Sequence, residues 1–424
     1  MEKKRIFITA HYLEIGGAET SLIGLLGAID YSKYEVDLFL QAVQGEMLQY
    51  VPKEVNVLPE IGCYSMIEKP LSECIKKGYW RVAMARLIAK LKFRQYAKKH
   101  HPKDSHSYYD ILDNEITKVL PTLYQLGEYD LAISYIAMKT VVLDKVKAKK
   151  KICWIHTDYS TVDCYKPLAL PLWNRFDNII SISPDVTKAF LKYLPETAPK
   201  IVECENILPK GLILSKAEMK GDGKFFESQA LSKRPEAERE EFKKFEGLKL
   251  LSVGRICEAK NYDNIPYMAA KLKELLNSLT PHLSHLTFTW FIVGPGDHTT
   301  IDALSEKLGV KDNVVFLGPS SNPYPFLKNC DIYVHPSRYE GKSIVVREAQ
   351  VLCKPIVITN YPTAHSQVND GVDGVIVPLD NEGCAKGLAE FILDVDKQQQ
   401  IIKNLQNEDH AGESEVNKIY KFID

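Results

Sequence analysis

Apolar residues occur along the chain in short runs, separated by longer stretches in which they recur with helical periodicity. Several runs are almost wholly apolar and rich in β-branched residues, as is typical of strands buried on both faces of a parallel sheet. They predict strands at residues 5–9, 35–40, 131–134, 151–156 and 178–181 in the first half of the chain, and at 248–253, 287–293, 314–317, 332–335, 355–358 and 374–377 in the second. Strand–helix alternation at this spacing predicts βαβ units with helices on both faces of each sheet.

The segment between the two halves, residues 216–244, is polar and poor in aliphatic residues. It predicts a linker or a surface insertion, partly helical. We therefore expect an N-terminal Rossmann-like domain at 1–208, the linker or insertion at 209–247, a C-terminal Rossmann-like domain at 248–405 and a C-terminal helix at 406–424 that could pack back on the N-terminal domain. Because ligands bind beyond the carboxyl ends of such strands, two doubly wound domains facing each other across a cleft would bring two ligands together.

Composition narrows the class of protein. The chain has 424 residues, of which 45% are hydrophobic and 26% charged, as is typical of globular proteins. A net charge of −1 gives no sign of a polyanionic partner. The N-terminus lacks the apolar region of a signal peptide, and no run approaches the roughly 20 apolar residues that cross a bilayer. Nine cysteines without a CxxC pair argue against a metal knuckle or disulfide framework and predict a cytoplasmic protein with reduced thiols.

Two predicted strands lead into loops that could hold a ligand. Gly16 and Gly17 follow the first strand, where glycines let backbone N–H groups approach an anion or a sugar at a helix N-terminus. A tight strand–helix turn would need the same glycines. Arg255 and Lys260 follow the strand at 248–253, where a guanidinium and an ammonium group could hold phosphates. Two solvated surface cations are the alternative there.

A third loop follows the strand at 332–335 and leads to two glutamates, Glu340 and Glu348. Glu340 would lie at the loop tip, where it could hold sugar hydroxyls. A helix is predicted to begin near Ser343, and Glu348, about one turn into it, could accept two hydrogen bonds from a ribose diol. The helix N-terminus would direct three backbone N–H groups at a diphosphate, those of Ser343, Ile344 and Val345. Alternatively, Glu340 caps the helix and Glu348 is solvated.

These motifs resemble the retaining GT-B glycosyltransferases of glycosyltransferase family 4. The stretch Glu340-Gly-Lys-Ser-Ile-Val-Val-Arg-Glu348 is similar to the E-x7-E signature of that family, and Val253-Gly-Arg255 with Lys260 to its V-G-R-(x4)-K phosphate loop. Further similar segments are Gly16-Gly-Ala-Glu19, Val293-Gly294-Pro-Gly, Val315-Phe316-Leu-Gly, 355–359 and 369–374. The resemblance is dense from 248 to 377, whereas in the N-terminal half it rests mainly on Gly16-Gly17 and Ile155-His156.

The resemblance implies a function. It implies a GT-B fold and retaining transfer of a sugar from a nucleoside-diphosphate sugar, with a UDP-sugar favoured, to a hydroxyl of a glycan or lipid-linked acceptor in cell-surface polysaccharide synthesis. The N-terminal domain would bind the acceptor. No cofactor and no metal are expected, since the one Asp-x-Asp motif, Asp394-Val-Asp396, falls in a predicted C-terminal helix. A nucleotide-sugar epimerase, a sugar phosphorylase and a non-enzymatic, membrane-associated sugar-binding protein are the alternatives.

The resemblance also implies residue roles. Four residues are expected to be catalytic: Glu340, Arg255, Lys260 and His156, the last approaching the sugar from the other domain. A buried, satisfied histidine is the rival interpretation of His156. The residues expected to bind substrate are Gly16, Gly17, Val293, Gly294, Phe316, Lys342, Ser343, Ile344, Val345 and Glu348. The chain carries Lys342-Ser343 where many family members carry Phe-Gly, which leaves the donor sugar open.

Residues 76–103 contain ten Lys or Arg and no Asp or Glu. Five apolar residues fall on one face of the predicted helix there: Trp80, Met84, Leu87, Ile88 and Leu91. Such a helix could lie on an anionic membrane, which would make the protein peripheral on the cytoplasmic face. Alternatively, the helix packs its apolar stripe on the sheet. Nucleic acid is not expected as a partner, because no binding motif accompanies the patch.

Overall fold

The computed structural model describes residues 3–14, 16–102, 104, 106–157, 159, 162–163, 165–219, 235–279, 286–320 and 322–423. Contacts divide the chain into two compact units, Met1–Pro209 together with Gly412–Asp424, and Lys210–Ala411. Each unit has one sheet, in which all described strand pairs are parallel. The eight described cysteines are free thiols.

The first unit contains a seven-stranded sheet with the order β3-β2-β1-β4-β5-β6-β7. Its strands are β1 (Lys4–Ala10), β2 (Tyr34–Leu40), β3 (Asn56–Val57), β4 (Glu128–Ile136), β5 (Lys147–Ile155), β6 (Asn178–Ser181) and β7 (Ile201–Glu203). Its helices before the crossover to the second unit are α1 (Gly17–Ala28), α2 (Gly62–Ser65), α3 (Leu71–Lys76), α4 (Trp80–His100), α5 (His106–Ile116), α6 (Lys166–Trp173) and α7 (Pro184–Tyr193).

The second unit contains a six-stranded sheet with the order β10-β9-β8-β11-β12-β13. Its strands are β8 (Leu248–Val253), β9 (Phe288–Val293), β10 (Val314–Gly318), β11 (Ile332–His335), β12 (Ile356–Thr359) and β13 (Val375–Val377). Its helices are α8 (Lys210–Ala217), α9 (Pro235–Lys244), α10 (Ile265–Leu279), α11 (Thr299–Lys307), α12 (Tyr324–Asn329), α13 (Ile344–Val351), α14 (Asn381–Leu393) and α15 (Val395–Asn407); α16 (Val416–Tyr420) follows in the first unit.

Apolar burial explains the central strands. β9 buries all six of its side chains, as a strand covered on both faces must. Two polar side chains that enter this core are paired: the Trp290 indole N–H donates to Ser252 Oγ over 2.9 Å, and Ser252 Oγ donates to the Val334 carbonyl over 2.6 Å. One short chain of hydrogen bonds therefore joins β9, β8 and β11.

Every strand predicted from the apolar runs is present. β3 and β7 were not predicted, because they are two and three residues long and leave their side chains partly or fully exposed. β5 begins four residues earlier than the apolar run, at Lys147, because its first residues are mostly lysines on partly exposed positions.

The polar segment between the halves is helical at both ends. α8 buries Ile213, and α9 places Phe242 edge-on against Phe291 and Phe326, so both helices pack within the second unit. Residues 220–234 of the predicted linker lie outside the described residues.

The last residues of the chain pack within the first unit. The Tyr420 ring stacks on Tyr34 with ring centroids 4.5 Å apart, and its hydroxyl accepts a hydrogen bond from the Asp30 N–H over 2.8 Å. Glu415 accepts a hydrogen bond from the Glu205 N–H over 2.8 Å.

Helix α4 does not pack its apolar stripe on the sheet, so that interpretation of residues 76–103 is wrong. The buried face of α4 carries small side chains, namely Val82, Ala83, Ala85 and Ala89. The five residues of the apolar stripe are exposed to solvent: Trp80 (63%), Met84 (52%), Leu87 (44%), Ile88 (38%) and Leu91 (49%). Lys103, at the end of the predicted basic segment, lies outside the described residues.

Candidate functional site

The predicted donor loops lie at the point where the second sheet reverses its strand order. From β8 the chain adds β9 and β10 on one side, and then returns to add β11 on the other side of β8. The loops after β8 and β11 leave the same edge of the sheet as neighbours, since β8 pairs in parallel with β11. The carboxyl ends of two such strands are the usual ligand site of an open α/β sheet.

Glycines allow the backbone to pass closely at this edge. Gly294 has φ 153°, and a Cβ there would lie 1.9 Å from the Gly254 carbonyl oxygen. Gly254 N–H donates to the Val293 carbonyl and Gly294 N–H to the Gly318 carbonyl, each over 2.9 Å. The ends of β8, β9 and β10 are thereby tied together, and a side chain at Gly294 would separate them.

Two of the predicted binding residues present little side chain to a ligand. Val293 is buried, and Phe316 packs in the core with its ring stacked on His298 at 4.3 Å between centroids. At these positions a ligand would meet the backbone rather than the two side chains.

Lys260 and Glu340 meet between the two loops. Lys260 Nζ lies 2.5 Å from Glu340 Oε1, and both side chains are mostly buried. The same carboxylate oxygen lies 2.9 Å from Ser337 Oγ and 3.1 Å from His335 Nε2. The loop after β8 is thus joined to the loop after β11 through one carboxylate.

The protonation states in this cluster follow from burial and charge. Burial lowers the pKa of His335 despite the neighbouring carboxylate, so the ring is neutral, with Nε2–H donating to Glu340 and Nδ1 accepting from the Tyr333 hydroxyl at 2.9 Å. Burial alone would raise the pKa of Glu340, but contacts with His335 and Lys260 outweigh it and hold that pKa at about 2. His335 therefore acts on Glu340 mainly through its hydrogen bond, and Lys260 adds a positive charge beside the carboxylate.

Helix α13 begins at Ile344, one residue after the predicted start, with Ser343 as its N-cap residue. Gln367 fixes this entry: its Oε1 accepts from the Ser343 N–H over 3.0 Å, and its Nε2 donates to the Gly341 carbonyl over 3.2 Å. The Ser343 N–H is therefore already engaged, whereas the first N–H groups within a helix have no intrahelical partner. Ile344 and Val345 supply two such groups, and Lys342 is half-buried beside them.

Glu348 is buried, so the interpretation of it as a solvated residue is wrong. It is 5% exposed and accepts a hydrogen bond from the Tyr324 hydroxyl over 2.8 Å. Burial raises the pKa of Glu348 to about 7, against the opposing effects of Tyr324 and of Lys216. Arg255, by contrast, is exposed, and its side chain makes no hydrogen bond or ion pair with a described residue.

Sequence reasoning missed the residues that hold this site in place. They are His335 and Ser337 around Glu340, Thr363 with its hydroxyl 2.9 Å from the Glu340 carbonyl oxygen, Tyr324 at Glu348, and Gln367. The sequence could have indicated them in one way. β11 and β12 are adjacent parallel strands, so the loops that follow them leave the same edge of the sheet and residues of the two loops can meet.

The Asp-x-Asp motif lies at the start of α15. Asp394 is the N-cap of that helix and accepts a hydrogen bond from the Lys397 N–H over 2.9 Å. The motif was expected within a helix, but its first carboxylate instead has a capping role.

In the first unit, Gly16 is the N-cap of α1, whose first residue is Gly17. The Glu19 carboxylate lies over this end of the helix. Its Oε2 would be 2.1 Å from a Cβ at position 16, so only a glycine leaves room for it. A bound anion would therefore have to displace a carboxylate from the helix N-terminus. The glycines serve the tight turn as well as leaving room for the Glu19 side chain.

His156 follows directly after β5 and is half-buried. Its Nε2 is shielded from solvent and has no hydrogen-bond partner among the described residues, so it is not the satisfied core histidine of the rival interpretation. Burial lowers its pKa to about 3, which keeps the imidazole neutral. The ring lies 4.6 Å from the Tyr135 ring, whose hydroxyl lies 2.8 Å from Ser21 Oγ on α1.

Two Rossmann-like units with parallel sheets, each bearing its loops at the carboxyl ends of the strands, define the GT-B fold of glycosyltransferases, and the predicted fold is confirmed. The fold is shared along the whole chain with a glycosyltransferase from Rickettsia africae (TM-score 0.62, 15% identity, 100% of this chain and 99% of that chain). It is shared equally with HepE of Anabaena, solved in complex with UDP (TM-score 0.60, 18% identity, 99% of this chain and 98% of that chain).

The match to a known family lies in the second unit. Residues 233–408 match the family model described as Glycosyl transferases group 1. A similar protein from Campylobacter jejuni is N-acetylgalactosamine-N,N'-diacetylbacillosaminyl-diphospho-undecaprenol 4-alpha-N-acetylgalactosaminyltransferase, 28% identical over 157 residues, or 37% of this chain and 40% of that protein. The lipopolysaccharide core biosynthesis glycosyltransferase LpsE of Rhizobium meliloti is 25% identical over 146 residues, or 34% of this chain and 39% of that protein. The matches thus span about two fifths of these relatives.

Proposed function

We propose that the protein is a retaining glycosyltransferase that moves a sugar from a UDP-sugar to a hydroxyl of a glycan or lipid-linked acceptor in cell-surface polysaccharide synthesis. The observation that carries the proposal is the joined pair of loops in the second unit, where Lys260 contacts Glu340 next to the first turn of α13. The similar Campylobacter protein is named for transfer to a diphospho-undecaprenol-linked sugar and the Rhizobium protein for lipopolysaccharide core biosynthesis, and both names support this class of acceptor.

The donor's diphosphate would lie between Arg255, Lys260 and the N-terminus of α13. Arg255 is an exposed cation without an ion-pair partner among the described residues, and the N–H groups of Ile344 and Val345 add the positive end of a helix dipole. Glu348 would accept hydrogen bonds from the ribose diol. UDP as the nucleotide is supported by the complexes of HepE, a protein of the same fold.

In the proposed reaction the bond between the sugar's anomeric carbon and the diphosphate breaks, a bond to the acceptor oxygen forms on the same face, and the proton of the acceptor hydroxyl passes to an oxygen of the leaving diphosphate. Negative charge develops on the leaving diphosphate, where Lys260, Arg255 and the helix N–H groups would stabilise it without a metal. Glu340 would release Lys260 to the phosphate and turn to the sugar hydroxyls. We also propose a catalytic role for His156, whose imidazole is neutral.

We further propose that the protein is peripheral on an anionic membrane through α4. The apolar stripe of this helix is exposed, and basic side chains flank it. None of the described helices is long and apolar enough to span a bilayer.

Hydrolysis of UDP-glucose and calorimetric titration with UDP test the transferase. Glu340→Gln keeps the size of the side chain but removes the charge that faces Lys260, and we expect turnover of the donor to fall about 100-fold or more. UDP should still bind, because the proposed nucleotide contacts are made by Arg255, Lys260, the start of α13 and Glu348, which this substitution leaves in place. Glu382→Gln, an exposed position at the start of α14, is the matched control and should keep wild-type turnover.

A wild-type protein that neither binds UDP nor hydrolyses a UDP-sugar would contradict the transferase and favour the non-enzymatic sugar-binding alternative. Full turnover in Glu340→Gln would remove Glu340 from the mechanism while leaving the nucleotide site.

A further inference from the structure

Three side chains that can bind a metal ion meet in the second unit, at the edge of the sheet opposite the donor loops. Asp373 lies just before β13, and Glu408 and His410 follow the end of α15. Because the strands are parallel, a residue that precedes one of them lies at their amino ends, whereas the donor loops leave the carboxyl ends. One ligand atom from each of the three side chains lies within 4.8 Å of the other two.

His410 supplies the atom of this cluster that lacks a partner. Its side chain is 10% exposed, and its Nε2 is shielded from solvent without a hydrogen bond to a described residue. Nε2 lies 3.8 Å from Glu408 Oε2, which is too far for a hydrogen bond. A buried ring nitrogen is normally satisfied by a protein group, a water molecule or an ion, so the nitrogen is available to one of the last two.

The charges around the cluster favour a cation. Asp373 and Glu408 bring two carboxylates, and Asp409 adds a third next to them in the chain. Burial lowers the pKa of His410 despite these carboxylates, so the ring is neutral and does not balance their charge. The Arg347 guanidinium, which donates to the His410 carbonyl oxygen over 3.0 Å, offsets only one negative charge. A divalent cation would balance the remainder, which a water molecule cannot do.

One ligand of the cluster is held firmly and another can move. The Asp373 carboxylate accepts hydrogen bonds from the Asn369 N–H over 2.8 Å and from Asn369 Nδ2 over 3.4 Å, and such outer contacts orient a ligating carboxylate. Asn404 of α15 holds the same loop, since its Nδ2 donates to the Val372 carbonyl over 2.8 Å. The Glu408 side chain is 52% exposed, so it can swing aside to admit an ion and then close over it.

The separations suit an ion that is held between side chains rather than in a cavity. Zn²⁺ binds imidazole nitrogen and carboxylate oxygen at about 2.0–2.2 Å, so two ligands of a tetrahedral site lie about 3.4 Å apart. The distance of 3.8 Å between His410 Nε2 and Glu408 Oε2 therefore needs to shorten only slightly. A set of ligands that mixes nitrogen with oxygen favours Zn²⁺ over Mg²⁺ and Ca²⁺, which prefer oxygen alone.

We propose that Asp373, Glu408 and His410 form a Zn²⁺ site, with water as the fourth ligand, that stabilises the second unit. The ion joins the loop before β13 to the segment after α15, the last part of this unit before the chain continues into the first. It is not a metal on the donor's diphosphate, because it lies at the opposite edge of the sheet from the residues proposed to hold that group.

Zinc titration of the full chain tests this site, after treatment with a chelator and removal of the chelator by dialysis. The probe is ZnCl₂ alone, without nucleotide or sugar, so the result does not depend on the transferase. We expect calorimetry to show one Zn²⁺ bound with a Kd in the micromolar range. The melting temperature should rise once the Zn²⁺ concentration exceeds this Kd, because an ion that binds the folded chain stabilises it. Mg²⁺ at the same concentrations should have no such effect.

Two variants identify the ligands. Glu408→Gln changes a half-exposed side chain without risk to the core and should weaken Zn²⁺ binding at least about tenfold. His410→Ala removes the nitrogen ligand and should abolish the stabilisation by Zn²⁺. Glu382→Gln and His365→Ala make the same substitutions at exposed positions of the second unit and should bind Zn²⁺ like wild type.

Cobalt distinguishes this site from binding at the free thiols. Co²⁺ in place of Zn²⁺ should give the visible absorption of nitrogen and oxygen ligands, without the intense near-ultraviolet band that a thiolate ligand adds. Three results would each overturn the proposal: no stabilisation by Zn²⁺ or equal stabilisation by Mg²⁺, a thiolate band with Co²⁺, and wild-type Zn²⁺ affinity in both Glu408→Gln and His410→Ala.

Discussion

Two glutamates eight positions apart in the second unit have pKa values shifted in opposite directions. Glu340 lies beside the Lys260 ammonium and near two further hydrogen-bond donors, and its pKa is held at about 2. Glu348 is more deeply buried with one described donor, Tyr324, and its pKa is raised to about 7. The same side chain is thus fixed as an anion at one position and poised between its two forms at the other, because of its surroundings alone.

The raised pKa of Glu348 predicts a pH-dependent stability. A carboxyl group whose pKa is higher in the folded chain stabilises the fold below its unfolded pKa of 4.5, and this contribution is lost as the pH rises through about 7. Glu348→Gln removes the titration. We therefore expect the melting temperature of Glu348→Gln, relative to wild type, to increase between pH 5 and pH 8, with a free-energy difference of at most roughly 3 kcal/mol.

Thermal melts of both proteins across this pH range, without nucleotide, measure the effect. Glu382→Gln, which lacks burial, should show a constant difference from wild type. A constant difference in Glu348→Gln as well would contradict the raised pKa.

At the scale of elements, the donor site consists of two strand ends and a helix start that one side chain holds together. Gln367 reaches from the loop after β12 to both the Ser343 N–H and the Gly341 carbonyl. Gln367→Leu would leave these groups unpaired where they are partly or fully buried, which costs about 1–3 kcal/mol of stability. Because the start of α13 would then move, we also expect the affinity for UDP to fall about tenfold.

Gln398 provides the matched control for this clamp. Its amide also bridges two backbone groups, the carbonyl oxygens of Phe391 and Ile392, but it lies on α15 and contacts the end of α14, away from the donor loops. Gln398→Leu should therefore lower the melting temperature with UDP affinity unchanged. Equal UDP affinities in the two variants, measured by titration calorimetry, would show that Gln367 has a structural role only.

The sequence was sufficient to predict the strands and the loops of the donor site, but not the residues that hold those loops in place. The start of α13 is set by local chemistry, a strand followed by glycine and a helical run, so it was predicted within one residue. The groups that hold Glu340 and Ser343 come from Thr363 and Gln367, 23 and 24 residues further along. Only the pairing of β11 with β12 brings them close, and a hydrophobic pattern does not specify which polar residue then faces which.

The sequence pattern also could not decide whether the apolar stripe of α4 is buried or exposed. Trp80 and Leu87 recur at helical spacing and would ordinarily mark the buried face. The helix instead turns its alanines inward, because small side chains allow it to lie close to its neighbours. An apolar periodicity shows that a face exists, but only the packing decides which face is covered.

In the molecule as a whole, the positive and negative charges nearly cancel, but they are distributed unevenly along the chain. The net charge is −1, yet residues 76–103 hold ten cations and no anion. Lys92 is neutralised from outside the helix, since its Nζ lies 2.7 Å from Glu115. Arg81, Lys90 and Arg94 are exposed on α4 without an ion pair to a described residue, beside the exposed apolar stripe. An anionic lipid surface matches both features together.

Vesicle binding should therefore depend on charge and on the apolar stripe separately. Lys90→Gln with Arg94→Gln should weaken binding to phosphatidylglycerol vesicles about 30-fold, since each cation near such a surface contributes about 1 kcal/mol. Lys188→Gln with Lys192→Gln, at the same spacing on α7, is the control and should bind like wild type. Trp80→Ser should weaken binding at high salt as well as low, because burial of an indole is not screened. Equal sedimentation with phosphatidylglycerol and phosphatidylcholine vesicles would exclude α4 as an electrostatic membrane anchor and leave the exposed stripe to a partner of another kind.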